Sequence, residues 1–89
     1  MAVLIVPSSL RRYSNGQSRI TLAAKTIEEA LERFAEESSE LRNHLFSGNA
    51  LRKFVVVCKN NQDIRLLDGL ATAIHGTDEV QIVASVAGG

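Results

Sequence analysis

Residues 26–38 read TIEEALERFAEES and contain the strongest helical pattern of the chain. Apolar side chains recur at the three- and four-residue spacing of one helix face, and charged residues fill the positions between them. Thr26 and Glu29 have the capping-box spacing, in which the threonine oxygen accepts from an early amide and the glutamate reaches back to the Thr26 amide. We therefore predict an amphipathic helix over Thr26–Ser38, with a buried face formed by Ile27, Ala30, Leu31, Phe34 and Ala35.

Strand patterns precede this helix. The apolar run Ala2–Val6 ends at Pro7, and its length and β-branched content favour a strand. The dipeptide Asn15-Gly16 is typical of a hairpin turn. The following segment, 18–23, alternates polar and apolar residues, as a strand with one covered face does. Together these segments predict a β-hairpin.

Further strand patterns follow the helix. A weaker helical pattern over 40–46 ends at the turn 47–49, and the next segment, 53–59, is the clearest strand of the chain. The remaining segments are predicted to be a turn at 60–63, a short strand or extended segment at 64–67, a short apolar segment at 70–74, a turn at 75–78 and a last strand at 79–86. One main helix packed on a small mixed sheet of four to five strands is an α+β fold. The order of elements is that of the β-grasp, or ubiquitin-like, fold.

The faces of the predicted sheet indicate a docking surface. One helix covers one face, yet the first strand and the strand 53–59 are apolar on both faces. An apolar patch left on the far face of a small domain commonly marks a site of protein contact. Partial cover by the segment 66–74 is the alternative explanation.

Composition narrows the classes of function. The 89 residues include ten basic and ten acidic side chains, so a basic surface for nucleic acid or membrane is not expected. One cysteine cannot form an internal disulfide, and the first apolar run is too short for a signal peptide or a membrane span. We expect a single domain in the cytoplasm.

No catalytic or metal site is expected. His44 and His75 are far apart in the sequence, whereas zinc needs three or four protein ligands. Cys58 lies within a predicted strand, with no feature nearby that would activate its thiol. No nucleophile and base pair is evident, and we expect no tightly bound cofactor.

The last two residues, Gly88 and Gly89, carry the candidate chemistry. We expect residues 1–86 to form the domain and residues 87–89 a flexible tail with a free carboxylate on Gly89. Glycines present no side chains, so such a tail fits a narrow slot in another protein. A carboxylate is a poor electrophile, but adenylylation by ATP makes its carbon open to attack by sulfur.

The sequence resembles the ThiS/MoaD family of ubiquitin-like sulfur carriers over essentially its whole length. The resemblance rests on five segments: Phe54–Val57, Asn60, Asp68–Ile74, Gly76–Val80 and Val86–Gly89. The segments Asp68–Ile74 and Val86–Gly89 are most similar to carriers that deliver sulfur for cysteine biosynthesis. They also resemble carriers of secondary-metabolite pathways.

The resemblance implies a carrier that is acted on by enzymes and is not itself one. An E1-like enzyme would use ATP to adenylylate Gly89, which becomes a thiocarboxylate, and a biosynthetic enzyme would take the sulfur. That acceptor would be a PLP-dependent cysteine synthase, accompanied by a metal-dependent peptidase, if the pathway is that of cysteine. The site residues so implied are Val86, Ala87 and Gly88 as the tail entering the partner, and Phe54, Val56 and Cys58 as the docking face, with Val55 and Val57 under the helix.

Three functions remain open from the sequence. The chain is either a sulfur carrier of this kind or the small subunit of a molybdopterin synthase, whose tail enters a catalytic subunit. A ubiquitin-like modifier that is joined to lysines is the third possibility. The identity of the partner separates the first two, and the chemistry of the acceptor separates the third.

Overall fold

The fold is a mixed sheet with its helices on one side. A computed structural model describes residues 1–36 and 38–84. Two α-helices and seven strands occur in this part of the chain: β1 Ala2–Ile5, β2 Arg19–Leu22, α1 Ile27–Ala35, α2 Ser39–Leu45, β3 Phe46–Ser47, β4 Ala50–Leu51, β5 Val55–Lys59, β6 Gln62–Asp63 and β7 Glu79–Ala84. Three 3-10 helices span Ser8–Tyr13, Ile64–Leu66 and Gly69–Ala71.

The sheet has the strand order β2-β1-β7-β5-β6. The last strand, β7, lies in its centre, parallel to β1 and antiparallel to β5. Strands β3 and β4 form a separate small hairpin. The predicted α+β fold with a small mixed sheet is confirmed, although the β3–β4 hairpin replaces the simple turn that was expected after α2.

The first hairpin pairs as predicted, with Ala2 opposite Leu22 and Ile5 opposite Arg19. Its connection differs from a short Asn-Gly loop, because the 3-10 helix Ser8–Tyr13 lies within it. The Asn-Gly pair follows that helix, and both of its residues have positive φ values. The dipeptide therefore makes a turn within a long connection and does not set the register of the strands.

Helix α1 begins as the sequence predicts and ends earlier. The Thr26 Oγ1 accepts from the Glu29 amide at 3.2 Å, which confirms the first half of the capping box. The Glu29 carboxylate reaches back to the Lys25 amide, also at 3.2 Å, and not to that of Thr26. The helix ends at Ala35 because Ser38 takes an extended conformation and caps α2, accepting from two amides of its first turn.

The segment between β6 and β7 packs beside α1. Residues Ile64–Leu66 form a 3-10 helix and not a strand, since the Asp63 carboxylate accepts from the Arg65 amide and caps that turn. The Ile74 amide donates to the Lys25 carbonyl at 2.9 Å, which ties the segment to the start of α1. It thus fills the helix side of the core and is not a cover for the far face of the sheet. The largest buried side chains are Leu4, Val6, Ile27, Leu31, Leu41, Leu45, Val57, Val80 and Ile82.

Hydrogen bonds join the turn before β7 to the turn after β5. The Asn60 side chain donates to the Asp78 carboxylate at 3.0 Å and accepts from the Glu79 amide at 2.9 Å. The other Asp78 oxygen accepts from the His75 amide at 2.8 Å, and the Asp78 carbonyl accepts from Val3 in β1. This cluster fixes the point at which β7 enters between its neighbours.

Hydrogen bonding makes the cluster sensitive to acid. The His75 amide and then the Asn60 side chain hold the pKa of the Asp78 carboxyl below its ordinary value. A carboxyl group with a lowered folded-state pKa stabilises the fold above its ordinary pKa. This contribution is lost as the pH falls through the lowered pKa.

We expect Asn60→Gly to lower the free energy of unfolding by about 1–2 kcal/mol more than Asn61→Gly does, because only the first removes the hydrogen bonds to the turn before β7. Both asparagines are exposed and have positive φ values, 49° and 71°, which glycine tolerates, so the two changes are matched in backbone effect. Urea denaturation monitored by circular dichroism measures the difference. Equal losses would show that the Asn60 side chain does not stabilise the turn.

Candidate functional site

The structure describes the chain as far as Ala84, before the predicted tail begins. Val86, Ala87, Gly88 and Gly89 lie outside the described residues, as does Ser85. Ala84, the last described residue, is paired with Val55 of β5. The last described residue therefore lies in a central strand of the sheet, at the end where β5 begins.

The predicted docking residues lie on the sheet face away from α1. Val55 and Val57 are buried in the core, while Phe54 is 43% exposed and Val56 and Cys58 are half-buried. Val55 and Val57 therefore face the core, and Val56 and Cys58 face the other side of the sheet, as the resemblance implied. In the sheet, Val56 is opposite Val83, and Cys58 is opposite Gln81.

Val83 belongs to the same surface, although it was not among the predicted site residues. It is 44% exposed, about as much as Phe54, and it is the cross-strand partner of Val56. The alternation of the last strand could have identified it, because inward Val80 and Ile82 leave the next position outward. We call Phe54, Val56 and Val83 the tail-side patch.

Charged side chains occupy the other end of this face. Arg19 of β2 and Glu79 of β7 form an ion pair of 2.9 Å that spans β1. Their cross-strand partners are Ile5 and Val3, so the pair lies on the same face as these two half-buried residues. The exposed apolar side chains of Phe54 and Val83 lie at the opposite end of the face, where β7 ends.

The other candidate residues take structural positions. Cys58 is a half-buried free thiol, His44 lies against the Tyr13 ring with centroids 6.2 Å apart, and the His75 amide binds Asp78. In residues 1–36 and 38–84, no three His, Cys, Asp or Glu side chains form a group that could hold a metal ion. No helix of this part is long and apolar enough to cross a membrane.

Comparison with known proteins gives one consistent family. The model of the ThiS family matches residues 4–89. The sulfur carrier protein CysO of Mycobacterium bovis is 32% identical over 87 residues, with 94% of each chain covered. The crystal structure of Mycobacterium tuberculosis CysO has a TM-score of 0.85 at 28% identity, covering 97% of this chain and 100% of that one. The crystal structure of the Amycolatopsis orientalis BexX/CysO complex has a TM-score of 0.88 at 24% identity, with both chains fully covered.

The exposure of Phe54 predicts a small cost on its removal. We expect Phe54→Ala to lower the free energy of unfolding by about 1–2 kcal/mol, in proportion to the surface it buries. Phe34→Ala is the matched change in α1, where the ring is 3% exposed, and it should cost about 3–5 kcal/mol. Denaturant titration of both variants checks this, and equal costs would place the Phe54 ring in the core.

Proposed function

The chain belongs to the ThiS family, and we propose that it carries sulfur as a thiocarboxylate on Gly89. The observation that carries this proposal is the match to the family model, which continues through Gly88 to Gly89. The curated relatives matched over 94% of the chain are sulfur carrier proteins, which favours this role over that of a molybdopterin synthase subunit or a protein modifier.

The proposed chemistry needs a partner enzyme at each step. An E1-like adenylyltransferase joins the Gly89 carboxylate to the α-phosphorus of ATP and releases pyrophosphate. A sulfur nucleophile then attacks the acyl carbon, and AMP leaves with the electron pair of the broken bond. The described surface has no evident base or oxyanion hole, so the activating enzyme supplies the electrostatic stabilisation. ATP is the substrate of that enzyme and not a cofactor of this chain.

The position of β7 suits a chain end that must reach into another protein. Pairing with β5 continues to Ala84, so the chain is held in the sheet up to that residue. Five residues follow it. A segment of that length extends at most about 17–18 Å, which sets how close the partner must approach. The body of the domain must therefore contact the enzyme while Gly89 is in its active site.

The tail-side patch is the surface proposed for that contact. It lies beside the root of the tail, and two of its three side chains are more than two-fifths exposed. Apolar contacts of this kind exclude water around the inserted tail. Cys58, two residues from Val56 in β5, lies at the edge of the proposed contact. The same surface serves the E1-like enzyme and the sulfur acceptor in turn, since both must receive the same tail.

The acceptor proposed from the curated relatives is an enzyme of cysteine biosynthesis. We assign to this step a PLP-dependent cysteine synthase that takes sulfur from Gly89. A metal-dependent peptidase is the third proposed partner. The relatives are named as CysO sulfur carriers, and this supports the assignment.

Incubation with an E1-like adenylyltransferase of the same organism, ATP and sulfide should replace one carboxylate oxygen of Gly89 by sulfur. Intact-mass spectrometry detects the corresponding mass increase, and fragmentation locates it. Deletion of Gly89 shortens the reach by about 3.3–3.6 Å and should abolish the increase. An added alanine after Gly89 removes the carboxylate from its position and should do the same.

Circular dichroism of the two tail variants serves as the control, because both changes leave the described domain intact. Thiocarboxylation of either variant at the rate of the unmodified protein would contradict the assignment of Gly89.

Removal of apolar surface from the tail-side patch should slow activation. We expect Val83→Ser to lower kcat/KM for adenylylation by about tenfold, as loss of a central interface residue does. Leu66→Ser is the matched control, since Leu66 is 76% exposed and lies outside the patch. Pyrophosphate release measures both, and equal kcat/KM values for the two variants would exclude the patch as the docking surface.

A further inference from the structure

A hollow opens beside Phe54, next to the residues that lead into β5. Its volume is about 410 Å³, and Phe54 forms one of its walls, so the hollow adjoins the tail-side patch. Ala50 and Leu51 supply further apolar surface, and Arg52 and Lys53 line the same hollow. Among the described residues that line it, none carries a carboxylate. The hollow therefore combines apolar walls with positive charge.

Hydrogen bonds hold the backbone of this hollow in place. The Arg52 amide donates to the Leu45 carbonyl at the end of α2 at 2.9 Å, and the Arg52 carbonyl accepts from the Val55 amide at 3.0 Å. The Arg52 side chain also donates through Nε to the Asn43 carbonyl. The hollow is thus joined to both α2 and β5 and exists in the free protein. A preformed site of this kind loses less conformational entropy when a ligand binds.

Neighbouring carboxylates leave the positive charge of the hollow unpaired. The stretch 41–62 contains no aspartate or glutamate. Ion pairs join its other arginine and lysine to carboxylates elsewhere in the fold: Arg42 to Glu32 and Lys59 to Asp78. Within residues 1–36 and 38–84, Arg52 and Lys53 form no ion pair. Lys53 is exposed and Arg52 is half-buried, so both charges are available to a negatively charged ligand.

We propose that the hollow receives an acidic side chain of the E1-like adenylyltransferase, whose carboxylate pairs with Lys53 and Arg52. This inference rests on the proposed function, because it assigns a contact made while Gly89 is in the active site of that enzyme. The apolar stem of the acidic side chain would lie against Leu51 and Phe54. Charge pairs at the rim of an apolar contact speed association and fix its orientation. The basic pair would thus select the partner that the tail-side patch binds.

The reach of the tail argues against the phosphates of ATP as the occupant. Ala84 is opposite Val55, so the hollow beside Phe54 lies near the last described residue of β7. ATP reacts at the Gly89 carboxylate, five residues further along the chain. In the extended form that a narrow slot requires, those residues span about 17–18 Å. A side chain on the enzyme surface that contacts the domain can enter the hollow, whereas phosphates at that distance cannot.

The test compares Lys53→Met and Lys53→Glu with Lys25→Glu, a change at an exposed lysine outside the hollow. Binding to the E1-like enzyme of the same organism is measured without ATP, and adenylylation is measured by pyrophosphate release. We expect Lys53→Met to lower the affinity and kcat/KM about threefold and Lys53→Glu to lower them about tenfold, because the first removes the charge and the second reverses it. Lys25→Glu should leave both unchanged, and circular dichroism of the three variants verifies the fold.

Salt should weaken the contact. We expect kcat/KM of the unmodified protein to fall as the ionic strength rises from about 0.05 M to about 0.3 M, because exposed charges are screened. The decrease should be smaller for Lys53→Met, which lacks the charge. The KM for ATP should be the same for every variant, since the nucleotide does not contact the hollow.

Equal affinity and equal kcat/KM for Lys53→Glu and Lys25→Glu would overturn the inference and leave the sulfur chemistry in place. Binding that depends on Lys53 without pyrophosphate release would support the inference and contradict that chemistry. An effect of Lys53→Glu on the KM for ATP alone would overturn the inference, because it would place phosphate in the hollow. Self-association of the unmodified protein that Lys53→Glu abolishes would also overturn it, because it would identify a second copy as the occupant.

Discussion

The insertion of β7 between β1 and β5 is the constraint on which the rest of the structure depends. It joins the first hairpin to β5 in one sheet, because β7 pairs in parallel with β1 on one side and antiparallel with β5 on the other. A parallel neighbour requires a crossover, and α1 lies within that crossover and covers the sheet. The hydrogen bonds of Asn60 and Asp78 fix where β7 begins. The position of Ala84, after which five residues lead to Gly89, follows because it belongs to the same strand.

The helices lie on one side of the sheet, and within residues 1–36 and 38–84 no element covers the opposite face. The chemistry of its side chains divides this face into two parts. Toward the start of β7, Arg19 and Glu79 place an ion pair over β1. Toward its end, Phe54, Val56 and Val83 are apolar and partly exposed. This division places the tail-side patch, the contact surface that we propose, beside the last described residues of β7. The surface and the tail are therefore positioned by one strand.

Regular spacing explains which features could be predicted from the sequence. The helix α1 follows from a period of 3.6 residues, and its Thr26 cap follows from the capping-box spacing. The phase of Val55 and Val57 came from the family resemblance, because the strand 53–59 is apolar on both faces. The β3–β4 hairpin and the 3-10 turn after Asp63 are too short to have a period, so they were missed. The chemistry of Gly89 came from a family resemblance, since glycine has no side chain from which to infer a role.

The pairing of Val3 with Glu79 has a consequence for biosynthesis of the chain. During translation, the first hairpin and α1 leave the ribosome long before β7 does, and until then β1 and β5 lack the strand that joins them. Contacts between such distant residues form late and slow the folding of a domain. In a nascent chain the tail-side patch is therefore incomplete until β7 has been made and has paired with β5. The same pairing that completes the sheet therefore also completes the patch beside the end of β7.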